Sequence, residues 1–389
     1  MFLDKVIRNN PELVKCAFRF HKEGVILPDT YIMDLDAITD NAIKMKEEAD
    51  KNGIELYFML KQIGRNPLIA ARLMDVGFKG AVVVDYKEAL KMIENDIHIA
   101  NVGHLEQIPK ALMDVIIKAR PDYVTVYSYE KILEINEAAR KADTIQKLLI
   151  RLSDDDSELY SGQVGGFHTK ELKELIVKVN KLSNVKIGGL TVFPALLYCA
   201  DKKAICETAN MKAMERGIAI ARECGLNDLN INLPSATCCA SIPLIRKLGG
   251  TSGEPGHGLT GTTPLHKDRE QIERPAYVYV SEISHNFDGK SYCYGGGHYR
   301  RSHMENVLVG NDLDNARILK IKAPTDESID YHFEIEEPCG VSQCAIMAFR
   351  TQIFTTRSHV AVVEGISRNE PELLGIYTAL GDPLNEKWQ

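Results

Sequence analysis

The chain has 389 residues, 44% of them apolar and 26% charged, with 47 basic against 54 acidic side chains and a formal net charge of −7. This is the composition of a globular protein with enough apolar material for a large core. No basic block is interleaved with aromatics, which argues against a nucleic-acid partner, and no apolar run nears the ~20 residues that span a bilayer.

The opening stretch, "MFLDKVIRNNPELVKC", lacks a basic start followed by an apolar core, so no signal peptide is expected and the localisation expected is cytoplasmic. Nine cysteines, an odd number with no CxxC pair, fit free thiols; vicinal Cys238 and Cys239 read as small buried hydrophobes rather than a redox pair. Residues 1–28 are expected to form a segment that joins the second domain through a helix and an entry strand.

From Tyr31 short apolar runs alternate with charged helical segments. The runs cover residues 31–36, 56–61, 80–85, 97–101, 123–127, 148–152, 187–193 and 229–235. They are apolar throughout, as strands buried on both faces of a parallel sheet are. Between them, in segments such as "SYEKILEINEAARKAD", apolar residues recur at three- and four-residue steps, and several segments end in Gly (Gly53, Gly77, Gly225), as helix C-caps do. Eight such runs predict a (β/α)8 barrel over residues 29–265. The runner-up is a doubly wound open sheet, which wants a phosphate fingerprint after its first strand; "DLDAITDNA" has no glycine there. After Leu265, β-rich stretches separated by turn residues, with "NFDGKSY" as a hairpin turn, predict a mainly antiparallel β domain over 266–389.

Catalytic residues in such barrels sit at the C-terminal ends of the strands. That rule selects Lys61 and Arg65, Asn101 and His104, Arg151 and Ser153, Thr191 and Phe193, and Pro234 and Ser235. Lys61 is either a solvated rim residue or an amine whose pKa falls in an apolar pocket, so that it condenses with a carbonyl. The stretch "GGTSGEPGHGLTGTTP", residues 249–264, places six glycines in sixteen residues; it is either an anion-binding loop or a flexible turn, and it lacks the P-loop signature. In "KSYCYGGGHYRRSH" the Cys and His spacing matches no closed zinc set and no HExxH occurs, so no metal is expected. Tyr294 there is either presented on a tight turn or an ordinary strand aromatic.

Taken in order, "YIMDLDAITDNAIKMK", "YFMLKQIGRN", "YSGQVGGF", "LPSAT", "EPGHGLTG" and "GKSYCYGGGHY" resemble the alanine racemase-like fold type III enzymes that use pyridoxal 5'-phosphate (PLP), and "EPGHGLTGTTPLH" is most similar to their YhfX-like group. The resemblance spans most of the chain. It implies that Lys61 carries PLP as a Schiff base, and that Ser235 and the backbone of Gly256 and His257 hold the phosphate. Arg65 stands where a phosphate-contacting tyrosine is common, and an arginine binds phosphate well. Tyr377 is a further phosphate contact. Tyr294 reaches the opposite face of the cofactor from the second subunit of a homodimer.

The sequence departs from the racemase pattern at three places. Glu254 replaces the arginine that faces the pyridine nitrogen, which favours a protonated ring and a stronger electron sink. Gln163 stands in place of an arginine, and Val192 in place of a ring-packing histidine. His104 and Arg151 are left to compensate. The function expected is an amino-acid racemase or epimerase with two bases, Lys61 and Tyr294. A free tyrosine has a pKa of about 10, so Tyr294 would need cationic neighbours; His298 and Arg300 are nearest in sequence. The alternatives are a D-amino-acid lyase, aldolase or dehydratase, against which Ala361 stands where a metal-binding cysteine would help His359, and a PLP-binding protein without turnover.

Overall fold

The computed structural model describes residues 2–384. The chain divides into two compact units, one of residues 45–60 and 70–256, the other of residues 2–44, 61–69 and 257–384.

The first unit is a parallel barrel. Its strands run in the order Glu55–Leu56, Ser252–Gly253, Asn230–Asn232, Val185–Thr191, Gln146–Arg151, Tyr123–Val126, Ile99–Val102, Ala81–Val83 and Phe58–Met59. The first and last of these are consecutive pieces of one extended run. Glu55–Leu56 pairs with Ser252–Gly253 and Phe58–Met59 pairs with Ala81–Val83, so residues 55–59 close an eight-membered ring. Helices between the strands start on side-chain caps where the sequence offers them. Asp85 accepts the Glu88 N–H at 2.8 Å as the cap of its helix, and the Glu88 carboxylate accepts the N–H of Val84, the residue before that cap, at 2.6 Å. Ser128 caps the helix Tyr129–Lys141 in the same way.

The expected barrel is present, but two of its strands differ from those read in the sequence. Thr30–Asp34, expected as the first barrel strand, lies in the sheet of the other unit, parallel to His359–Glu364 and antiparallel to Tyr277–Phe287. A run buried at every position suits either sheet, so its pattern does not discriminate. The strand that closes the barrel, Ser252–Gly253, is two residues long and hides inside the glycine-rich stretch.

The second unit is mainly antiparallel and also closes. Lys290–Tyr294, His332–Ile335, Arg317–Lys322, Asn306–Gly310, Cys344–Met347 and Tyr277–Phe287 follow one another around a ring, because Lys290–Tyr294 pairs both with His332–Ile335 and with Tyr277–Phe287. Thr30–Asp34, His359–Glu364 and Glu372–Thr378 extend the sheet from Tyr277–Phe287. The hairpin at "NFDGKSY" turns on Asp288 and Gly289 with φ of 48° and 74°, the two positive values a type I′ turn requires. Two helices, Phe2–Asn9 and Pro11–Lys22, bury Phe2, Leu3, Val6, Leu13, Val14, Phe18 and Phe20 against Ile32, Val278, Val280, Ile346 and Val363 of the sheet. Asn10 joins them, and its amide donates to the Asp34 carboxylate (2.8 Å) and the Pro275 carbonyl (3.0 Å). All nine cysteines are free, and Cys238 and Cys239 are buried. No described helix is long and apolar enough to cross a membrane.

Candidate active site

The C-terminal ends of the barrel strands carry a polar layer. Asn101, Thr125, Thr191, Asn232, Ser252 and Glu254 are buried there, each on or just past a different strand or its neighbour. Thr125 donates to the Asn101 side-chain oxygen and Thr191 to that of Asn232, both at 2.8 Å. This fixes each amide with its NH2 turned towards Glu254. Asn232 donates to Glu254 Oε1 at 3.1 Å, and Asn101 reaches the same atom at 3.5 Å. The Glu254 N–H is held by Thr237 Oγ1 at 3.0 Å. His104 Nε2 stands 3.7 Å from Glu254 Oε2, and its ring meets Phe193 edge-on at 5.0 Å. A carboxylate only 4% exposed is thus oriented through neutral amides.

Ser235 and Ala236 follow the strand Asn230–Asn232 with φ of 86° and 52°. Two consecutive left-handed residues at a strand end form a tight turn, the kind of backbone concavity that receives anions.

Arg151 ends its strand and is 1% exposed. Its Nη1 donates to Tyr127 Oη at 2.6 Å and to the His104 carbonyl at 3.5 Å, and its Nη2 to the Gln163 carbonyl at 2.8 Å. The guanidinium lies 4.9 Å from the Tyr127 ring centre and 5.7 Å from that of Phe193. Burial raises the Tyr127 phenol above its usual value, opposed by Arg151.

In the other unit, Lys61 opens a single 3-10 turn, Lys61–Ile63, two residues beyond Met59. Asn66 caps the next helix by accepting the Ile69 N–H at 3.1 Å, and Pro67 takes its first position. The turn between them requires positive φ at Gly64 and Arg65 (63° and 52°). A side chain at Gly64 would put its Cβ 2.8 Å from Val360. Arg65 is 2% exposed with its guanidinium 4.9 Å from the Phe354 ring centre. Positive charge gathers around His257. Burial first, then Arg350, Lys61, Arg301 and His266, hold its imidazole neutral, well below the ordinary histidine range. Its Nδ1 meets Thr262 Oγ1 at 3.1 Å, while Nε2 has no hydrogen-bond partner. Arg301 and Arg350 carry no motif, and sequence reasoning missed both.

Tyr294 ends the strand Lys290–Tyr294 with 39% of its surface exposed, and Gly295–Gly297 follow. Gly295 donates to the Tyr331 carbonyl at 2.8 Å and Gly296 to Asp330 at 3.1 Å. A Cβ at Gly296 would fall 1.9 Å from Asp29 Oδ2, so only glycine fits. The nearest ring to Tyr294 is His332, centre to centre 5.8 Å, a neighbour the sequence did not suggest. Of the two cationic neighbours expected from sequence, His298 is lowered below the ordinary histidine value by burial, and Arg300 lies 3.4 Å from Asp326. The Tyr377 ring lies over Gly375, while Gly381, four residues on, packs against the Arg65 carbonyl. Among the described residues no group of three or more His, Cys, Asp or Glu is placed to hold a metal ion.

Residues 33–264, more than half of the chain, match the family described as alanine racemase, N-terminal domain, and residues 278–373 match the YhfX-like C-terminal domain. The chain belongs to the alanine racemase family. Within it, this YhfX-like member is 41% identical to the uncharacterized protein YhfX of Escherichia coli (strain K12) over 386 residues, 99% of this chain and all of that one. The alanine racemase-like fold recurs in the crystal structure of D-threonine aldolase from Filomicrobium marinum, with a TM-score of 0.71 and 14% identity over 91% of this chain and 94% of that one. It recurs also in alanine racemase of Clostridium difficile 630 in complex with cycloserine, with a TM-score of 0.66 and 16% identity over 91% and 99%. At these identities the likeness speaks for the fold, and it is shared by an isomerase and a lyase alike.

Proposed function

We propose that the protein is a PLP-dependent enzyme acting at Cα of an amino acid, most simply as a racemase or epimerase. The observation that carries this reading is the buried Glu254 carboxylate, oriented by Asn101 and Asn232 at the C-terminal end of the barrel strands. A buried carboxylate whose Oε1 accepts from two side-chain amides suits a partner that brings a proton or positive charge, as a pyridinium nitrogen does. Each unit by itself offers a place for an anion, one at the left-handed turn of Ser235 and the other at the cations around His257.

When bound, PLP withdraws electrons from Cα and makes its proton removable. The chain's own groups then divide the work. Ser235, the N–H groups of Gly256 and His257, and Arg65 would hold the phosphate, with Tyr377 as a further contact. Glu254 would favour a protonated ring on the cofactor, and His104, 3.7 Å from Glu254 Oε2, would help to position it. Lys61 Nζ would anchor the cofactor and would exchange the Cα proton on one face. Tyr294 Oη, from a second copy of the chain, serves the other face, which agrees with its exposure in the single chain.

A second reading, a D-amino-acid lyase, draws on the same Glu254. A protonated ring is a stronger electron sink than racemisation demands. The two are told apart by incubating the PLP-loaded protein with L- and D-amino acids in heavy water. A racemase deuterates Cα and forms both enantiomers, and Tyr294→Phe stops interconversion while sparing exchange from one enantiomer. Release of aldehyde or keto acid would make it a lyase. Loss of exchange from both enantiomers in Tyr294→Phe would contradict the two-base scheme.

A further inference from the structure

We infer that Arg151 is the receptor for a carboxylate of the substrate at the mouth of the parallel barrel. The inference rests on the proposed amino-acid chemistry for what the substrate is, but its geometry is independent of the cofactor. Arg151 ends the strand Gln146–Arg151, on the face where barrel enzymes do their chemistry. It is 1% exposed, and its charge is permanent.

The protein leaves that charge unmatched. A guanidinium has five N–H donors. Three hydrogen bonds are made, to the Tyr127 hydroxyl and to the carbonyls of His104 and Gln163, all of them neutral acceptors. Nε is buried with no acceptor at all. Among the described residues no carboxylate oxygen lies within ion-pair distance of Arg151. The other deeply buried cations of soluble proteins are paired, because burying an unpaired charge is costly.

The alternative is a packing role, with the guanidinium between the rings of Tyr127 and Phe193. Ring faces do attract cations, but they satisfy no N–H. A methionine would fill the same space without leaving a buried donor.

An arginine with an unused Nε–H is suited to a planar, two-oxygen anion, and the fork of Arg151 matches a carboxylate in shape. Two carboxylates qualify: the α-carboxylate of any amino acid, or the side-chain carboxylate of an acidic one.

The test is direct binding to PLP-loaded protein, by titration calorimetry and thermal shift, with acetate, succinate and inorganic phosphate as probes. Wild type is expected to bind succinate or acetate, Arg151→Gln to bind it at least tenfold more weakly with PLP content unchanged, and Arg151→Lys to fall between. Should Arg151→Gln not fold, Arg151→Lys carries the test through its weaker binding. A loss for succinate alone, together with a raised KM for aspartate and not for alanine, assigns the side-chain carboxylate. An equal loss for both probes and both amino acids assigns the α-carboxylate. Equal affinity in wild type and both variants overturns the inference, as does a preference for phosphate. If the protein takes up no PLP yet binds carboxylates through Arg151, the inference stands and the proposed function fails.

Discussion

The mouth of the parallel barrel and the Tyr294 turn of the antiparallel barrel handle buried charge in opposite ways. At the turn a carboxylate meets a cation: Asp330 receives the Arg357 guanidinium at 2.9 Å and the Gly296 N–H. At the mouth, Arg151 makes hydrogen bonds only to neutral groups, and Glu254 Oε1 is held by amides. Matched charge fixes a loop and needs nothing more. Charge held by neutral dipoles is costly for folding alone, and it makes sense where a charged ligand arrives.

That contrast sorts the expected effects of substitution. The largest is in catalysis. Lys61→Ala is expected to reduce turnover roughly 10³-fold or more, as loss of a covalent anchor and base does, with stability nearly unchanged; steady-state assay and thermal denaturation together check it. Glu254→Gln keeps an oxygen for Asn101 and Asn232 but removes the charge. Its expected loss in kcat is about 10²-fold without loss of stability, and a drop in melting temperature with unaltered kcat would place Glu254 in the structural class instead.

At the turn the effects move to stability. Gly296→Ala forces a Cβ onto Asp29 at φ 130° and is expected to cost roughly 3 kcal/mol in urea unfolding, with Tyr294-dependent proton exchange impaired as the turn shifts.

The smallest effect is a pH slope. Burial raises the Asp29 carboxyl from 3.8 to about 6, opposed by its hydrogen bonds to Ser358 and Tyr279. A carboxyl raised in the folded state binds more protons folded than unfolded, so its contribution falls as pH rises from about 4 to about 6 and is flat above. Asp29→Asn keeps an Oδ1 acceptor and tolerates the positive φ of 63° at this position. It is expected to stabilise the fold by roughly 2 kcal/mol at pH 8 and to erase that slope. Unfolding curves that keep the slope in Asp29→Asn would assign it to another group.

Much of the fold is legible in the sequence because helical periodicity, glycine caps and uniformly apolar strands are local signals. The Asp288–Gly289 hairpin is read directly from its residue types. Thr30–Asp34 is misplaced because a strand buried on both faces looks the same in a parallel barrel and beside an antiparallel one. Ser252–Gly253 is too short to carry a pattern. The candidate residues are legible where position alone marks them, as with Lys61 and Arg151 at strand ends. Asn232 left a faint mark, a polar residue inside the apolar run "LNINLPS". Arg301, Arg350 and His332 left none, since only long-range pairing brings them beside His257 and Tyr294.

The central claim is that Lys61 anchors PLP. Purified protein loaded with PLP, reduced with borohydride, digested and mapped by mass spectrometry is expected to carry the pyridoxyl group on the peptide containing Lys61, and on no other lysine. Reduction that leaves Lys61 unmodified, or modifies surface lysines in proportion to their exposure, would contradict the account.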